Sequence, residues 1–525
     1  MIELDVNIPI ESTEDPIDLS LRKYRIPPSA VHTAVIFHRA LDARANRPAV
    51  YAYQIRMELE NESRWLKRMK AHARIVQPWI YQLPSSGGRR LTCRPVVIGF
   101  GPCGMAAALL LARCGYNPLV LERGPAVEKR KQAVEDYWHT GILNPEQNVQ
   151  FGEGGAGAFS DGKLTTRVKD PRAGVILNQL IEAGADPSIA WLNHPHIGTD
   201  SFLEIDRNIR KTIESLGGEI RFETKAERFL VHDGKLQAIL TDKGEEIPCE
   251  AAVLAVGHSA RDTFLSLHET GLFMKPKKFA VGFRAEHLQS FIDARQYRNI
   301  RDSRSLPPSE YHLAYTTSLN KGVYSFCMCP GGYVVASAST PETTVTNGMS
   351  YHARDGRNAN AAILVQVDEK DYGTDLFSGM HFQESLEHQA FVLGKGKAPC
   401  ETIAHYLGKS SVNLPDEVQP TYPLGVEMTS LGTLLSDPLN QCIAEMLEHT
   451  ETIFPGFTGN GALLTGIETR TSAPIRMERS PKTLESSISG LYPSGEGAGY
   501  AGGIVSSAID GMRTAEQIIS LYQPI

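Results

Sequence analysis

The clearest chemical pattern in this sequence is a glycine-rich turn at Gly99–Gly104, with glycine at the first, third and sixth positions. In a turn that binds a dinucleotide, the first glycine permits a tight bend after a strand. The second, Gly101, lets the backbone approach a pyrophosphate, and the third, Gly104, lets the following helix pack closely on the sheet. The first turn of that helix, with Pro102 and Cys103, presents free N–H groups and a positive dipole end to the phosphates. The pattern therefore predicts a dinucleotide-binding loop.

Residues on both sides of this turn fit the same interpretation. An apolar run at Pro95–Ile98 predicts the preceding strand, and Met105–Cys114 predicts the helix. A second strand, Leu119–Leu121, ends at Glu122, whose carboxylate can accept hydrogen bonds from both hydroxyls of an adenosine ribose. Arg123 follows directly and belongs to the same candidate site. Glycines also end helices and make turns, but a strand, a helix and an acid in this order favour the dinucleotide site.

Elements further along the chain indicate which dinucleotide is bound. A helix at Arg207–Leu216 and a strand at Glu219–Phe222 extend the predicted sheet. The turn Asp233-Gly234 between two alternating segments indicates an antiparallel hairpin, and a buried strand then ends at Gly257. A β-meander followed by a buried strand and glycine resembles the FAD domains of the glutathione-reductase class. The resemblance implies FAD as the cofactor and Gly257 as part of its site.

The C-terminal segment resembles the same class of FAD domain. A strand ends at Gly495 and Glu496, a glycine-rich loop follows, and a helix is predicted from Ile504 to Ile519. In that class the acid lies near the ribityl–pyrophosphate, and the helix N-terminus, here Gly503 and Ile504, lies near the flavin pyrimidine ring. Helix N–H groups stabilise the negative charge of reduced flavin. A flexible loop is the alternative, and the flanking strand and helix argue against it.

Four blocks of the sequence resemble a family of bacterial FAD-dependent dehydrogenases, the NAD(FAD)-utilising dehydrogenases, for which no substrate is established. The blocks are Phe151–Leu164, Cys327–Gly332, Asn347–Ser350 and Ser494–Gly499. The resemblance extends over nearly the whole chain and implies FAD binding. In the first block, glycines such as Gly154 and Gly155 let backbone N–H groups approach the cofactor, and Ser160 and Lys163 are candidates to hydrogen-bond the flavin or a bound anion. A tight loop beneath the cofactor explains these glycines equally well.

Together these elements predict the α/β fold class. We expect a Rossmann-like FAD-binding domain with a β-meander, interrupted by an α+β substrate domain and preceded by a small α+β domain. The predicted boundaries are 1–88 for the N-terminal domain, 89–262 with 485–525 for the FAD-binding domain, and 263–484 for the substrate domain.

The two outer domains carry weaker signals. Near the N-terminus, Ser29 is positioned to cap a helix over about Ala30–Leu41, and alternation over Tyr51–Leu59 predicts a strand. In the substrate domain, strands are predicted at Phe279–Arg284, Tyr324–Cys329 and Tyr333–Ala338. These strands favour an antiparallel sheet that covers the flavin.

Eight polar residues are candidates for chemistry on a substrate. They are His194, His196, His258, Arg284, His287, Arg354, Glu468 and Arg470. A histidine can move the proton that accompanies hydride transfer at flavin N5, and an arginine can hold a substrate carboxylate or phosphate. His258 ranks first because it follows a strand's carboxyl end, where ligands gather in such sheets. Arg284 ranks second from its place on a predicted strand. A structural role is the simpler interpretation of each one taken alone.

Cys327 and Cys329 are two residues apart, so on a regular strand they point to the same face. That spacing hints at redox chemistry. However, neighbouring positions on one strand rarely suit a disulfide, and a C-x-x-C motif is absent. A packing role is therefore favoured over a thioredoxin-reductase-like mechanism.

Composition limits the partners and the location. The chain has 525 residues, 42% of them apolar, and a formal net charge of −7, which does not indicate a general nucleic-acid surface. The basic run Arg64–Arg74 is more simply a solvated helix face. Neither a signal peptide nor a membrane span is recognised, and eight scattered cysteines favour a reducing cytoplasm. No metal site is predicted, and the oligomeric state is left open.

The leading interpretation is a FAD-dependent oxidoreductase that transfers hydride at flavin N5 to or from a small molecule. No second glycine-rich nucleotide motif occurs in 263–484. Reduction by NAD(P)H therefore has no dedicated domain, although direct stacking on the flavin stays open. Two alternatives also stay open: a flavoprotein that modifies tRNA, for which the basic run is the support, and a non-catalytic FAD-binding protein.

Overall fold

The computed structural model describes residues 1–44, 47–69, 72–297, 306–410, 417–459 and 461–525. Lys70 of the basic run lies outside the described residues. The first elements are β1 (Ile2–Pro9), α1 (Pro16–Tyr24), β2 (Val31–Asp42), β3 (Val50–Leu59), α2 (Glu62–Met69) and β4 (Ala73–Ile75). They build a four-stranded antiparallel sheet in the order β2-β3-β1-β4. Its apolar face and the two helices enclose a small core that includes Ile55 and Trp65.

The helix predicted over Ala30–Leu41 is wrong, because all of these residues after Ala30 belong to strand β2. Their β-branched and aromatic members favour an extended chain, and pairing with β3 along the strand satisfies the backbone groups. Ser29 lies inside the short 3₁₀ turn Pro28–Ala30 instead of capping a helix. The strand predicted over Tyr51–Leu59 is confirmed as part of β3.

The next part of the chain alternates strands and helices. Its elements are β5 (Arg89–Arg90), β6 (Val96–Ile98), α3 (Pro102–Arg113), β7 (Leu119–Leu121), α4 (Val127–Thr140), α5 (Arg172–Glu182), α6 (Thr199–Ser215), β8 (Glu219–Arg221), β9 (Ala226–His232), β10 (Lys235–Thr241), β11 (Glu246–Pro248), β12 (Ala252–Leu254) and α7 (Arg261–Glu269). Strands β9, β10 and β11 form the predicted three-stranded antiparallel meander.

The rest of the chain is mostly strands, with a long helix near its end. Its elements are β13 (Met274–Pro276), β14 (Phe279–Leu288), α8 (Gln289–Gln296), β15 (Ala314–Thr316), β16 (Gly322–Cys329), β17 (Tyr333–Ala336), β18 (Thr346–Met349), β19 (Asn358–Val367), α9 (Glu369–Tyr372), α10 (Ser378–Leu393), β20 (Ala398–Thr402), α11 (Ile403–Tyr406), β21 (Val426–Met428), α12 (Asp437–Ile453), β22 (Leu463–Glu468), β23 (Ile475–Met477), β24 (Leu491–Pro493), α13 (Ile504–Leu521) and β25 (Tyr522–Gln523).

Five parallel strands form the sheet predicted for the dinucleotide unit, in the order β24-β12-β6-β7-β8. Helices α3 and α13 pack against each other beside it. The carboxyl ends of parallel strands lie at one edge of a sheet, so the turns after β6, β7, β12 and β24 meet there. These turns carry Gly99, Glu122, Gly257 and Glu496 respectively.

A seven-stranded sheet has the order β15-β16-β19-β14-β22-β20-β21 and is antiparallel except for the β20–β21 pair. Strand β17 does not join it but pairs with β18 in a separate two-stranded ribbon. Strand β16 carries a bulge between Phe326 and Cys329, where Cys327 has a left-handed φ of 43°. The bulge removes the regular alternation that would place Cys327 and Cys329 on one face.

No helix in the part of the chain that the structure describes is long and apolar enough to cross a membrane.

Candidate functional site

One large cavity lies between the edge of the parallel sheet and the seven-stranded sheet. Its volume is about 1260 Å³, which exceeds the roughly 300–1,000 Å³ of a typical small-ligand site. The predicted site residues in its wall are Gly99, Gly101, Pro102, Cys103, Glu122, Arg123, Gly155, Ser160, Lys163, Gly257, His258, Glu496, Gly503 and Ile504. The cavity therefore brings together residues that are up to about 400 positions apart in the sequence (Gly99 to Ile504).

The first glycine turn has the close packing that the sequence predicts. Gly99 has a φ of 97°, and a Cβ atom there would lie 2.4 Å from the Ala255 carbonyl oxygen. A Cβ at Gly104 would lie 1.9 Å from the Gly99 carbonyl oxygen, so α3 can begin this close to β6 only with glycine. Gly104 itself does not line the cavity. Helix α3 begins after Gly101, and no side chain caps its first N–H groups, which leaves them available to a phosphate.

Glu122 is buried and joins the two glycine-rich loops. Its carboxylate accepts the N–H groups of Phe100 at 2.8 Å, Gly124 at 2.8 Å and Gly152 at 2.9 Å. A carboxylate has about four acceptor positions, so about one is left for a ligand hydroxyl. Its neighbour Arg123 also faces the cavity, where it forms ion pairs with two carboxylates and stacks on an aromatic ring. Its partners are Glu146, Asp262 and Phe151.

The block around Gly154 crosses beneath the first turn. The N–H of Gly154 donates to the Phe100 carbonyl at 2.9 Å, and Gly154 lies behind the cavity wall. The next glycine, Gly155, faces Gly101 across the cavity floor so closely that a Cβ on Gly155 would lie 3.1 Å from the Gly101 Cα. The hydroxyl of Ser160 donates to the Gly157 carbonyl at 2.7 Å. These glycines therefore pack loop against loop at the cavity floor.

Lys163 lies deeper in the cavity wall. Its ammonium donates to the Met328 carbonyl and lies 3.6 Å from the Glu310 carboxylate. Burial lowers the pKa of Lys163, but Glu310 and Asp161 more than offset this and raise it. For Glu310 the signs are reversed. Burial raises its pKa, but His194, Lys163 and Arg354 have the larger opposite effect and lower it to about 2. Both groups are therefore charged at neutral pH.

The C-terminal part contributes an acid and a second helix end. Burial raises the pKa of Glu496 to about 7, against the opposing effect of Lys277. Within the described residues, its carboxylate makes no protein hydrogen bond, and it faces the cavity. Gly495 lies behind the wall, where its N–H donates to Asp510 at 2.8 Å. Helix α13 begins after Gly503 without a side-chain cap.

The two highest-ranked catalytic candidates lie in different environments. His258 lines the cavity, and its Nδ1 lies 3.0 Å from the Ser259 hydroxyl. Burial, Arg470 and Arg261 lower its pKa to about 3, so the imidazole is neutral at pH 7. Arg284 is fully buried outside the cavity lining. It forms a bidentate pair with Glu468, with both N···O distances 2.7 Å.

The other six candidates divide in the same way. Those that line the cavity are His194, Glu468 and Arg470, and those that do not are His196, His287 and Arg354. His287 is buried and bonds the Phe457 carbonyl at 2.8 Å, and Arg354 pairs with Asp161 and Glu310. Structural contacts thus account for both of these side chains.

Several cavity residues were not among the sequence-based candidates for the site, and three of those with ionisable groups lie beside Lys163 or the seven-stranded sheet. Glu310 and His312 lie in the wall beside Lys163, on a segment that carries no recognisable motif. Cys327 also lines the cavity, although its spacing to Cys329 favoured a packing role. The bulge that exposes Cys327 depends on pairing with a strand more than thirty residues away, β19, so spacing alone did not reveal it.

Comparison with known proteins identifies the family. The chain is 45% identical over 494 residues to a protein of Clostridium beijerinckii, covering 93% of this chain and 92% of that protein. The chain belongs to the same family as that protein, which is described only as uncharacterised. Residues 278–471 match the family model "FAD-dependent protein, C-terminal domain-like". The protein is therefore FAD-dependent, and FAD is its cofactor.

Solved structures show weaker likeness. CtdE in complex with FAD is 13% identical, with a TM-score of 0.31, over 80% of this chain and 83% of that one. A geranylgeranyl bacteriochlorophyll reductase-like protein from Thermoplasma acidophilum is also 13% identical, with a TM-score of 0.34, over 81% and 77%. These TM-scores are too low to support an argument about the fold. The fold is therefore described from the order of the strands in this chain's own sheets.

The cavity has the donor and acceptor set that FAD requires. Two uncapped helix N-termini, at Gly101 and Gly503, supply N–H groups for anionic parts of the cofactor. Glu496 supplies an acceptor that has no hydrogen-bond partner among the residues that the structure describes. The glycine-lined floor supplies room for close backbone approach. The residues present therefore fit the cofactor that the family requires.

Proposed function

We propose that this protein is a FAD-dependent oxidoreductase that exchanges hydride, at flavin N5, with a small-molecule substrate. The observation that carries the proposal is the continuity of the cavity. Its first part has the glycine turns and helix ends of the parallel-sheet edge, and its second part has ionisable side chains beside the seven-stranded sheet. A cofactor site that opens directly onto such groups is the arrangement that an enzyme needs to bring a substrate to its cofactor.

Each part of the cavity has a distinct role in this proposal. The N–H groups at the start of α3 would hold the pyrophosphate, Glu496 would accept a hydroxyl of the cofactor, and the N–H groups at the start of α13 would stabilise negative charge on the flavin. FAD, when bound, supplies the acceptor or donor of hydride. His258, at the parallel-sheet edge, is a neutral hydrogen-bond partner for the substrate. In the second part, Arg470, paired with Glu387, is a fixed positive group.

The domain boundaries belong to the proposal as well. Residues 1–88, 89–262 with 485–525, and 263–484 each contain one principal sheet, which supports the division. Membership of the NAD(FAD)-utilising dehydrogenases is the finer form of the same hypothesis, and direct use of NAD(P)H is its most immediate test.

The tRNA-modifying alternative receives no support from the basic run. Arg74 pairs with the buried Glu3, and Arg64 and Arg68 stack on Trp65. These contacts account for three of the run's basic side chains without a nucleic acid. We therefore do not propose that function.

Anaerobic reduction of the bound flavin tests the proposal. The FAD-loaded protein is mixed with NADH, NADPH and a panel of small hydroxy, amino and unsaturated carbonyl compounds, while its yellow absorbance is followed. We expect at least one compound to bleach the bound flavin much faster than it bleaches free FAD. A flavin that only dithionite reduces, with every candidate inactive, would argue for the non-catalytic alternative.

A further inference from the structure

The part of the cavity beside the seven-stranded sheet carries an excess of positive charge. The Glu310 carboxylate lies 3.6 Å from the Lys163 ammonium and 3.1 Å from the Arg354 guanidinium. Arg354 also pairs with the buried Asp161. These two cations and two carboxylates balance one another. Arg167, which lines the cavity four residues after Lys163, is therefore a positive charge in addition to them.

The guanidinium of Arg167 is free to bind a ligand. Arg167 is exposed, and it forms neither an ion pair nor a hydrogen bond with any residue that the structure describes. Glu468, another acid of this wall, does not neutralise it, because the Glu468 carboxylate forms a bidentate pair with the buried Arg284. A guanidinium presents a planar fork of N–H donors that matches the two oxygens of a carboxylate. An anion is therefore the ligand that this part of the cavity favours.

The charge of Arg167 acts on the wall of the cavity as well as on the solvent. Burial, Lys163, His194 and Arg167 lower the pKa of His312, against the opposing effect of Glu310. His312 itself lines the cavity. Arg167 therefore lies close enough to His312 for both side chains to contact one small ligand.

Strands β15 and β16 place an aromatic ring next to His312. Ala314 pairs with Tyr324, and the Leu313 carbonyl accepts a hydrogen bond of 2.8 Å from the residue that follows Tyr324. This antiparallel register continues outward and sets His312 opposite Phe326, so that the two side chains share a face. Phe326 lines the cavity and is 38% exposed. An exposed aromatic ring in a ligand cavity favours an apolar, planar partner.

We propose that this part of the cavity binds an aromatic or conjugated carboxylate, with the carboxylate on Arg167 and the planar apolar body against Phe326. Arg167 thereby selects anions over neutral molecules of the same shape, and Phe326 selects planar anions over compact ones. That this ligand is the substrate rests on the proposed function. That it binds does not, because binding requires no hydride transfer.

Titration of the FAD-loaded full chain with benzoate and with cinnamate tests the proposal. Binding is followed at neutral pH by calorimetry and by the absorbance of the bound flavin. Benzamide has the ring without the charge, and inorganic phosphate has the charge without the ring. We expect at least one of the two carboxylates to bind about tenfold or more tightly than either benzamide or phosphate. Saturable binding of neither carboxylate, or equal binding of benzamide or of phosphate, overturns the proposal.

Variants of Arg167 identify the residue that recognises the charge. Arg167→Gln should weaken carboxylate binding about tenfold or more and leave benzamide binding unchanged, because it removes a charged pair of hydrogen bonds. Arg167→Lys, which keeps the charge without the fork, should lie between the two. Lys169→Gln is the matched control, since Lys169 is exposed but does not line the cavity. Equal losses in Arg167→Gln and Lys169→Gln would contradict the assignment.

The content of bound flavin reports whether each variant folds, and the comparison of ligands on the natural protein decides if one does not. The result is also separable from that of the proposed function. Carboxylate binding by a protein whose flavin no compound reduces would contradict the proposed function and support this site. A flavin that uncharged compounds reduce, in a protein that binds neither carboxylate, would support the proposed function and overturn this inference.

Discussion

Two carboxylates at strand ends show how far residue type alone predicts a role. Both Glu122 and Glu496 were expected to contact the cofactor, since each follows a strand of the parallel sheet. The Glu122 carboxylate accepts hydrogen bonds from three backbone N–H groups, which occupy most of its acceptor positions. The Glu496 carboxylate faces the cavity and has no hydrogen-bond partner among the described residues. The sequence predicts that both acids follow strands of the parallel sheet. It does not reveal that the loop of Gly152, thirty residues later, folds back and hydrogen-bonds Glu122.

Glu496→Ala should weaken FAD binding about ten- to a hundredfold, because a charge-assisted hydrogen bond contributes about 1.5–3 kcal/mol. Its pKa near 7 adds a pH signature. Affinity should fall as the pH drops below about 7, where protonation removes the negative charge that strengthens the accepted hydrogen bond, and Glu496→Gln should flatten that dependence. Flavin-fluorescence titration measures both effects, with exposed Glu269→Gln as the control. Unchanged affinity in Glu496→Ala would contradict this assignment.

The buried carboxyl group of Glu153 should make the stability of the fold depend on pH. It is fully buried, and burial raises its pKa to about 7, above the 4.3 or so of an unfolded chain. The folded protein therefore holds a proton that the unfolded chain releases between these values, so stability falls as the pH rises through that window. In the natural protein, this titration should lower the free energy of unfolding by roughly 2–3 kcal/mol as the pH rises through that window, at about 1.4 kcal/mol for each pKa unit. Glu153→Gln should abolish this part of the pH dependence.

Urea unfolding at pH 4.5, 5.5 and 7 (spanning the two pKa values) measures the effect. Glu128→Gln is the matched control, because Glu128 also pairs with Arg210 but is about half exposed. A pH slope for Glu153→Gln that equals the slope of Glu128→Gln would show that Glu153 does not titrate in this range.

At the scale of elements, local patterns predict the parallel sheet well and the N-terminal sheet less well. The turn at Gly99, the helix after it and the strands on either side combine several independent signals in one short segment. Strand β2 has no such support. Its β-branched and aromatic residues favour an extended chain only weakly by themselves, and its conformation is decided by pairing with β3, which is a tertiary effect.

Substitution by alanine should have different effects at two glycines of the turn that follows β6. At one it should weaken FAD binding, and at the other it should lower the stability of the fold. At Gly101 an added Cβ meets only Gly155, at 3.5 Å or more, and its φ of −87° suits any residue. Gly101→Ala should therefore fold but lose FAD affinity by about a hundredfold, the effect of a methyl group where the backbone meets a phosphate. Gly104→Ala, 1.9 Å from the Gly99 carbonyl oxygen, should unfold at a lower temperature.

Thermal unfolding and bound flavin content separate these outcomes. Gly88→Ala, which meets nothing within 4 Å, serves as the control for both measurements. Full FAD binding by folded Gly101→Ala would mean that the phosphates do not approach this turn.

At the scale of the whole molecule, a buried ion triad joins the parallel-sheet part to the seven-stranded sheet. Glu387 on α10 is fully buried and pairs with Arg261, at the start of α7, and with Arg470, just after β22. The two arginines lower its pKa to about 2 despite burial. No sequence pattern links these residues, because the nearest two are more than eighty positions apart, so this connection emerges only in the folded chain.

Glu387→Gln should cost about 3–5 kcal/mol of unfolding free energy, because it leaves two buried arginines without their shared anion. Glu384→Gln is the matched control. Glu384 also contacts Arg261, at 3.4 Å, but it is 40% exposed, so its loss should cost no more than about 0.5 kcal/mol. Equal effects in urea unfolding would show that the triad does not hold the two parts together.

The most direct test of the account is an experimental structure of the FAD-saturated protein. It should show one FAD per chain in the 1260 Å³ cavity, with its pyrophosphate at the start of α3, a hydroxyl within hydrogen-bond distance of Glu496, and its ring beside His258 and Cys327. FAD bound on another surface, or a ring separated from the seven-stranded sheet, would contradict it.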